Sequence, residues 1–275
     1  MNGRFRKLLS FGSVILLASA FACGDDTAVQ EQAQAEREAA LVALEQSKAD
    51  LDAKRAEYSE LEAKINAPED AEAETSADAP AEGEEPMTQE QLEEQAKNLK
   101  QEIEDDSQKL ASDIVGFINE DPPVQGEPFS PELERAVNLK VEEDILLAQE
   151  WIESGGDYRR AITILESLQP LAPDNAHLQE ELEHAKNFRY MTEDRFAAVK
   201  KGMTEDEVRE ALGPVNLRNI KPYEDRGVVA WFYPKEGGGA AGVFFNQKKG
   251  KTQVYKTDFN AVQSQAGGDD EGDEG

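Results

Sequence analysis

Residues 68–86 limit what this chain can fold into, because they contain no large apolar side chain. Alanine, proline, glycine, serine, threonine and acidic residues make up the whole segment. A segment of this composition cannot bury a core, and its like charges repel one another. We therefore predict a disordered acidic linker between the N-terminal and C-terminal parts of the chain.

The single cysteine of the chain, Cys23, directly follows the pattern of a secretory signal peptide. Three cationic side chains precede an apolar run at residues 11–21, which is too short to span a bilayer as a permanent helix. An Ala-x-Ala sequence, typical of a cleavage site, ends at Ala22. We predict a signal peptide at residues 1–22 and a short polar leader at residues 23–28.

This arrangement resembles a bacterial lipoprotein signal, in which the cysteine thiol is diacylated and its amine becomes the new N-terminus. The resemblance implies that Cys23 carries a lipid anchor, and Gly24 after it is compatible with sorting to the outer membrane. Ala20 and Phe21 depart from the usual motif, which has leucine three places before the cysteine and a small residue two places before it. The alternative is an ordinary signal-peptidase cut at the same bond, which leaves a soluble protein with a free thiol.

The chain is strongly acidic, with a formal net charge of −29. Such a surface repels phosphate backbones and anionic headgroups, so we expect no nucleic acid partner. His177 and His184 lie two helical turns apart, roughly 10 Å, which is too far to share a zinc ion. The acidic tail at residues 261–275 lacks the ligand spacing of a calcium loop, and we predict that it is disordered. We expect no catalytic, metal-binding or cofactor-binding residues, and therefore no enzyme.

Residues 29–67 are typical of a long helix with a seven-residue apolar repeat. The repeat consists of Leu44, Leu51, Tyr58 and Ile65, with Ala40 and Leu61 on the adjoining seam. Arg37, Ser47 and Lys54 interrupt that seam. We predict a coiled-coil stalk, with three arrangements left open: a dimer or trimer, a hairpin folded back on a later helix, or a single solvated helix.

Residues 87–120 form a second predicted helix, which begins with a capping box between Thr88 and Gln91. Its apolar residues make one stripe: Leu92, Ala96, Leu99, Ile103, Leu110, Ile114 and Phe117. We expect this amphipathic helix to pack on the stalk or on the helices that follow it, rather than on a cofactor.

Residues 131–190 carry a helical pattern that includes Gly156-Asp157-Tyr158, Ala161, Leu165, Leu168 and Pro173. This pattern resembles the second half of a tetratricopeptide repeat, which implies that Tyr158, Ala161, Leu165 and Pro173 are the packing residues of the repeat. The first helix departs from the family, because Ala148-Gln149 replaces its Leu-Gly pair. The resemblance covers about one repeat, and a helical hairpin that happens to fit the pattern is the alternative.

Residues 191–260 change from a helical to a strand pattern. A capping box between Thr204 and Glu207 begins a helix that Gly213-Pro214 ends. Strands are predicted at 217–220, 228–233, 243–245 and 253–256, with glycines between them. Two helices followed by an antiparallel meander indicate a two-layer α+β domain.

This module also resembles the SmpA/OmlA (BamE-like) family of small outer-membrane lipoproteins. The resemblance is carried by Val199, Gly202-Met203-Thr204, Val208, Leu212-Gly213, Trp231-Phe232-Tyr233 and Val243-Phe244-Phe245. It implies an ααβββ fold with one further strand here, and a role in outer-membrane β-barrel assembly. The family usually has proline two places after the Leu-Gly pair, whereas Pro214 follows Gly213 at once and Val215 holds the usual place.

Aromatic residues on two predicted strands are the candidate partner contacts: Trp231, Phe232, Tyr233, Phe244 and Phe245. Successive strand residues face opposite sides, so alternate members should lie in the core and the others should be partly exposed. Gly237, Gly239 and Gly242 match a dinucleotide-binding pattern, but no helix follows them. We therefore predict a hairpin loop there.

Together these features predict an α+β fold class with a long coiled-coil helix, a tetratricopeptide-like helical region and a C-terminal two-layer domain. We expect a non-enzymatic envelope protein without a cofactor, anchored by lipid at Cys23 to the outer membrane and facing the periplasm. Its expected partners are envelope proteins, including β-barrel assembly components. The alternative is a homo-oligomeric coiled-coil scaffold that coordinates cell-wall or division proteins.

Overall fold

A computed structural model describes residues 26–67, 87–124, 126–248 and 251–263. These residues form seven α-helices and a four-stranded antiparallel sheet at the C-terminal end, which confirms the α+β class. The predicted signal peptide, Cys23, the linker and residues 264–275 of the predicted tail lie outside the described residues. None of the described helices is long and apolar enough to cross a membrane.

The helices are α1 (Asp26–Ile65), α2 (Gln89–Glu120), α3 (Pro131–Gly155), α4 (Tyr158–Leu168), α5 (Ala176–Arg189), α6 (Glu193–Phe196) and α7 (Glu205–Leu212). The strands are β1 (Ile220–Tyr223), β2 (Val228–Pro234), β3 (Ala240–Lys248) and β4 (Lys251–Val262), and they lie in sequence order in the sheet. Residues 217–219, predicted as part of a strand, instead form a 3-10 turn that Asn216 caps.

Helices α1 and α2 pack against each other as an antiparallel hairpin. Leu61 near the end of α1 lies in one apolar cluster with Leu99 near the start of α2. Leu44, earlier in α1, lies in another cluster with Phe117 near the end of α2. Of the three arrangements left open by the sequence, the structure therefore has the hairpin folded back on a later helix.

The buried side of α1 differs by one position from the predicted seam. Leu41 has no exposed surface, whereas Ala40, which was placed on the seam, is exposed. Leu41, Leu44, Lys48, Leu51 and Arg55 follow one another at spacings of three and four, so they share one helix face. Two basic side chains therefore lie on the same face as the leucines.

Those two basic side chains meet the only buried charged residue among the described residues, Glu143 of α3. The guanidinium of Arg55 donates two hydrogen bonds to the Glu143 carboxylate, at 3.0 and 2.8 Å, and a third to Ser107 of α2 at 3.1 Å. The Lys48 ammonium lies 3.3 Å from the same carboxylate. This ionic cluster therefore joins α1, α2 and α3.

Helix α3 runs in the same direction as α1, because the contacts advance along both helices together. Near the start of α3, Arg135 donates hydrogen bonds of 2.9 and 2.7 Å to Glu45. Further along both helices, Glu143 meets Arg55. The first three helices therefore form a bundle in which α2 is antiparallel to the other two.

Helices α3, α4 and α5 share a second apolar core. Tyr158, Ala161 and Leu165, expected to pack in a repeat, are all buried there. Pro173, the other expected repeat residue, is exposed in the turn between α4 and α5. Gly156 ends α3 in the left-handed conformation, at φ 58°, and its N–H donates to the Ile152 carbonyl at 2.8 Å.

The C-terminal domain has two layers, with α6 and α7 on one face of the sheet. Phe196 of α6 and Val208 and Leu212 of α7 pack on Trp231 and Phe245 in a third apolar core. The capping box predicted at Thr204 and Glu207 is present at the start of α7. The other face of the sheet carries no described layer.

The buried carboxylate of Glu143 should contribute more to stability than the exposed carboxylate of Glu142 beside it on α3. We expect Glu143→Gln to lower the free energy of unfolding by about 2 kcal/mol, because it removes the buried carboxylate that Arg55 and Lys48 share and leaves them only more exposed carboxylates such as Asp52. Glu142→Gln is the matched control, since Glu142 is largely exposed, and it should change stability by less than about 0.5 kcal/mol. Urea unfolding of the two variants measures the difference, and equal effects would contradict the role of Glu143.

Cross-linking tests the hairpin against a coiled coil between chains. Gln95 of α2 donates a hydrogen bond of 3.4 Å to Glu57 of α1. With Cys23 replaced by serine, Glu57→Cys combined with Gln95→Cys should react with a short thiol cross-linker within one chain, at every protein concentration. Glu57→Cys combined with Lys109→Cys should give no cross-link within the chain, because residue 109 is about 21 Å further along α2 than residue 95. Covalent dimers of the single Glu57→Cys variant would favour a coiled coil between chains.

Candidate functional site

The two faces of the C-terminal sheet divide the predicted contact residues into two groups. Trp231, Tyr233 and Phe245 point to the α6–α7 side and are buried in the core. Phe232 and Phe244 point to the opposite side and are partly exposed. The alternation expected from strand geometry is present. Only the second pair is therefore positioned to touch another molecule without unfolding the domain.

We call the side of the sheet opposite α6 and α7 the open face. The strand pairing and ring contacts place on it Tyr223, Val228, Ala230, Phe232, Phe244 and Tyr255. The rings of Phe232 and Phe244 meet edge-on with centroids 6.0 Å apart, and those of Phe244 and Tyr255 are 6.4 Å apart. Such contacts are favourable for aromatic pairs. The three rings make one aromatic row across β2, β3 and β4.

Two lysines belong to the open face. Lys221 of β1 pairs with Ala230 of β2, and Lys256 of β4 pairs with Phe244 of β3. Directly paired residues of antiparallel strands lie on one side of the sheet, so both lysines flank the aromatic row. The Lys256 ammonium is 5.2 Å from the centre of the Phe244 ring, within the range of a cation–π contact, and 3.3 Å from Asp258.

Gly242 makes room for the aromatic row, a role that the sequence pattern did not show. It lies inside β3, not in the predicted hairpin loop, which contains Gly237 and Gly239 at positive φ. A Cβ atom at Gly242 would lie 2.7 Å from the Cβ of Ala261 and 3.0 Å from the Phe244 ring. The ring of Phe244 therefore occupies the space that a side chain at Gly242 would take.

Tyr233 on the buried side fixes the sheet to the end of α7. Its hydroxyl donates a hydrogen bond of 3.3 Å to the carbonyl of Gly213, the residue that ends α7. Burial raises the pKa of Tyr233 well above its ordinary value. The group is therefore a neutral hydroxyl at physiological pH, and its function is structural.

A junction of backbone contacts joins the helical region to the C-terminal domain. The N–H of Met191 donates to the carbonyl of Pro234 at the end of β2, at 2.8 Å. The amide of Asn216 donates to the carbonyl of Gly156 at 3.4 Å. At Gly156 a Cβ would strike the backbone of Val215, and would lie 2.5 Å from the Asn216 nitrogen. The missing side chain is what allows the two chain segments to touch.

Neither histidine is placed for metal chemistry. His177 lies 3.6 Å from Glu181, and His184 stacks on Phe188 with ring centres 4.5 Å apart. The part of the chain that the structure describes contains no group of three or more histidine, cysteine or acidic side chains able to hold a metal ion. The candidate site for contact with another molecule is the open face.

Comparison with family models, with curated proteins and with solved structures finds no match for this chain.

Alanine substitutions at two glycines of the same backbone conformation test how tightly the junction is packed. Gly156 and Gly227 have φ values of 58° and 59°, but only Gly156 faces other atoms where its Cβ would be. Gly227→Ala should cost about 1 kcal/mol of stability, because alanine resists the left-handed region. Gly156→Ala should cost about 3 kcal/mol, because the clash with Val215 adds to that strain. Similar thermal midpoints for the two variants would argue against a tight junction.

Proposed function

We propose that this chain is a non-enzymatic, lipid-anchored envelope protein that binds another protein through the open face of its C-terminal sheet. The supporting observation is the aromatic row of Phe232, Phe244 and Tyr255, which lies on a sheet face that no described element covers. Partly exposed aromatic residues that form a contiguous patch are typical of protein contact sites.

The chemistry of the open face favours one kind of partner. The aromatic row requires an apolar surface opposite it, and Lys221 favours acidic groups at the border of that surface, whereas Lys256 is already paired with Asp258. The rest of this chain is acidic, with 58 acidic and 29 basic side chains. A second copy of the chain, or a nucleic acid, is therefore a poorer partner than a different protein with an apolar patch and an acidic rim.

The helical bundle would hold the open face away from the membrane. Cys23 precedes the start of α1 by three residues, so a lipid at Cys23 places that end of the bundle at the bilayer. Helix α3 runs parallel to α1 and has 25 residues, a length of about 37 Å. The chain leaves α3 at the end farther from Cys23, where α4, α5 and the C-terminal domain follow.

The resemblance to the SmpA/OmlA family supports a more specific partner class. It covers residues 191–260 and implies contact with the components that insert β-barrel proteins into the outer membrane. In the same way, the tetratricopeptide resemblance of residues 131–190 supports a role in holding proteins together. We therefore propose outer-membrane barrel assembly, or the maintenance of envelope integrity, as the process that this protein serves.

The structure gives less support to a coiled-coil scaffold that self-associates. Such a scaffold needs an apolar seam on α1 that is free to meet another chain. Leu41, Leu44, Leu51 and Leu61 are instead buried against α2 and α3 within one chain. Self-association through α1 would require the hairpin to open.

Capture of partners from the native membrane tests this proposal. We expect that mild cross-linking of the lipidated protein, followed by mass spectrometry, recovers specific envelope proteins. Tyr255→Ser combined with Lys256→Glu should reduce that recovery about tenfold or more, because both changes alter the open face at exposed positions.

The matched control is Leu147→Ser on α3, an exposed apolar residue outside the open face, which should leave recovery unchanged. A second pair, Phe232→Ala and Phe244→Ala, should have the same effect as the open-face variant if its thermal midpoint stays close to that of the wild type. Unchanged recovery with both open-face variants would overturn the assignment of this face. Loss of membrane association in Cys23→Ser tests the anchor separately.

A further inference from the structure

A pocket of about 290 Å³ lies at the junction between the helical region and the C-terminal domain. The start of α4, the end of α5, the segment after α7 and the end of β2 all contribute to its wall. We call it the arginine pocket, because Arg159, Arg189 and Arg218 line it together with Tyr158, Phe188 and Asn216. We propose that it binds a small ligand that carries a carboxylate or phosphate group on an apolar body.

The charge of the arginine pocket is opposite to that of the chain as a whole. Its lining includes three arginines and a single acidic residue, Asp157. The Asp157 carboxylate already accepts a hydrogen bond of 3.1 Å from the N–H of Arg160, where it caps α4. Among the residues that the structure describes, none of the three arginines forms an ion pair with a carboxylate.

Most of the other arginines in the structure are engaged. In the bundle, Arg55 and Arg135 each bind carboxylates, and Arg160 lies 3.6 Å above the ring centre of Trp151. Arginine presents a planar fork of donors that suits carboxylate and phosphate oxygens. Of the pocket arginines, Arg189 lies 4.8 Å from the ring centre of Tyr190, and Arg159 and Arg218 are exposed. Within the described ranges no carboxylate pairs with any of the three, and in a chain with twice as many acidic as basic side chains this favours an external anion.

A second, independent observation is the hydroxyl of Tyr158. Tyr158 lines the pocket and is only 7% exposed, yet its hydroxyl has no hydrogen-bond partner among the described residues. An unpaired buried donor costs free energy. The hydroxyl lies against Gly213 and has almost no accessible surface, so a ligand oxygen that displaces the neighbouring atoms would remove that cost. Burial raises the pKa of Tyr158 to about 12, so the group keeps its proton and can donate at neutral pH.

The aromatic residues that line the pocket favour a ligand with an apolar body. Phe188, Tyr190 and Tyr233 present aromatic surface to the pocket. Arg195 fixes the position of this aromatic wall. Its guanidinium donates hydrogen bonds to the carbonyls of Asn187 and Tyr190, at 2.9 and 2.5 Å, and lies over the Phe188 ring. The volume suits a group of the size of a substituted aromatic ring, and a larger macromolecular surface would contact only the rim.

Three small probes that share a phenyl ring test the proposal on the full-length chain in detergent. Benzoate and phenyl phosphate carry the two anionic groups, and benzamide is the uncharged match of benzoate. In ligand-observed NMR titrations we expect at least one anion to bind about tenfold more tightly than benzamide, which corresponds to one charge-assisted hydrogen bond. Tighter binding of benzoate identifies a carboxylate ligand, and tighter binding of phenyl phosphate identifies a phosphate ligand.

Substitutions locate the binding. Arg189→Met combined with Arg218→Met should weaken anion binding about tenfold or more. Arg226→Met is the matched control, because Arg226 is exposed and does not line the pocket, and it should leave affinity unchanged. Anion binding that equals benzamide binding, or that survives loss of the two arginines, would overturn the proposal.

Tyr158→Phe keeps the test decisive if the arginine variants unfold. Removing an unpaired hydroxyl should leave the thermal midpoint unchanged or raise it, since no internal hydrogen bond is lost. The affinity for the anion should nevertheless fall about threefold to tenfold. An unchanged affinity in a folded Tyr158→Phe variant would remove the hydroxyl from the proposed site.

Discussion

The contact of Arg55 and Lys48 with the buried Glu143 carboxylate determines how the first three helices are arranged. Leucines alone specify this arrangement weakly, because one leucine seam can slide along another by a turn at small cost. A carboxylate buried among helices tolerates no such slip, since it would lose its cations and keep its desolvation cost. The direction of α3 follows from this contact together with the pairing of Arg135 and Glu45.

Much of the local structure could be predicted from the sequence, because its signals are local. The capping boxes at Thr88 and Thr204 are present, and the aromatic residues of β2 and β3 alternate between faces as expected. The partner of α1 could not be predicted, because a seven-residue repeat does not say which helix meets it. For the same reason the sequence did not show that Leu41, rather than Ala40, lies on the buried face of α1. Only the packing of three helices shows that basic side chains belong to that face.

The candidate site was predictable in its residue types but not in its geometry. An aromatic strand pattern indicates two faces, yet Tyr255 and its place beside Phe244 depend on an irregular pairing of β3 with β4. Gly242 and Gly156 are missed for another reason: each is required by a side chain or backbone distant in sequence. A glycine needed for close approach looks, in the sequence, like a glycine in a turn.

Charge connects the open face with the arginine pocket. The chain has a net charge of −29, and within the bundle most of the basic side chains pair with carboxylates, as Arg55 and Arg135 do. Among the described residues, two of the places where positive charge has no carboxylate partner are Lys221 beside the aromatic row and Arg189 with Arg218 at the junction. Long-range repulsion from the acidic surface would slow the approach of anionic partners. Because the pocket wall includes Pro234 at the end of β2, a ligand there would contact the same strand that carries Phe232 of the open face.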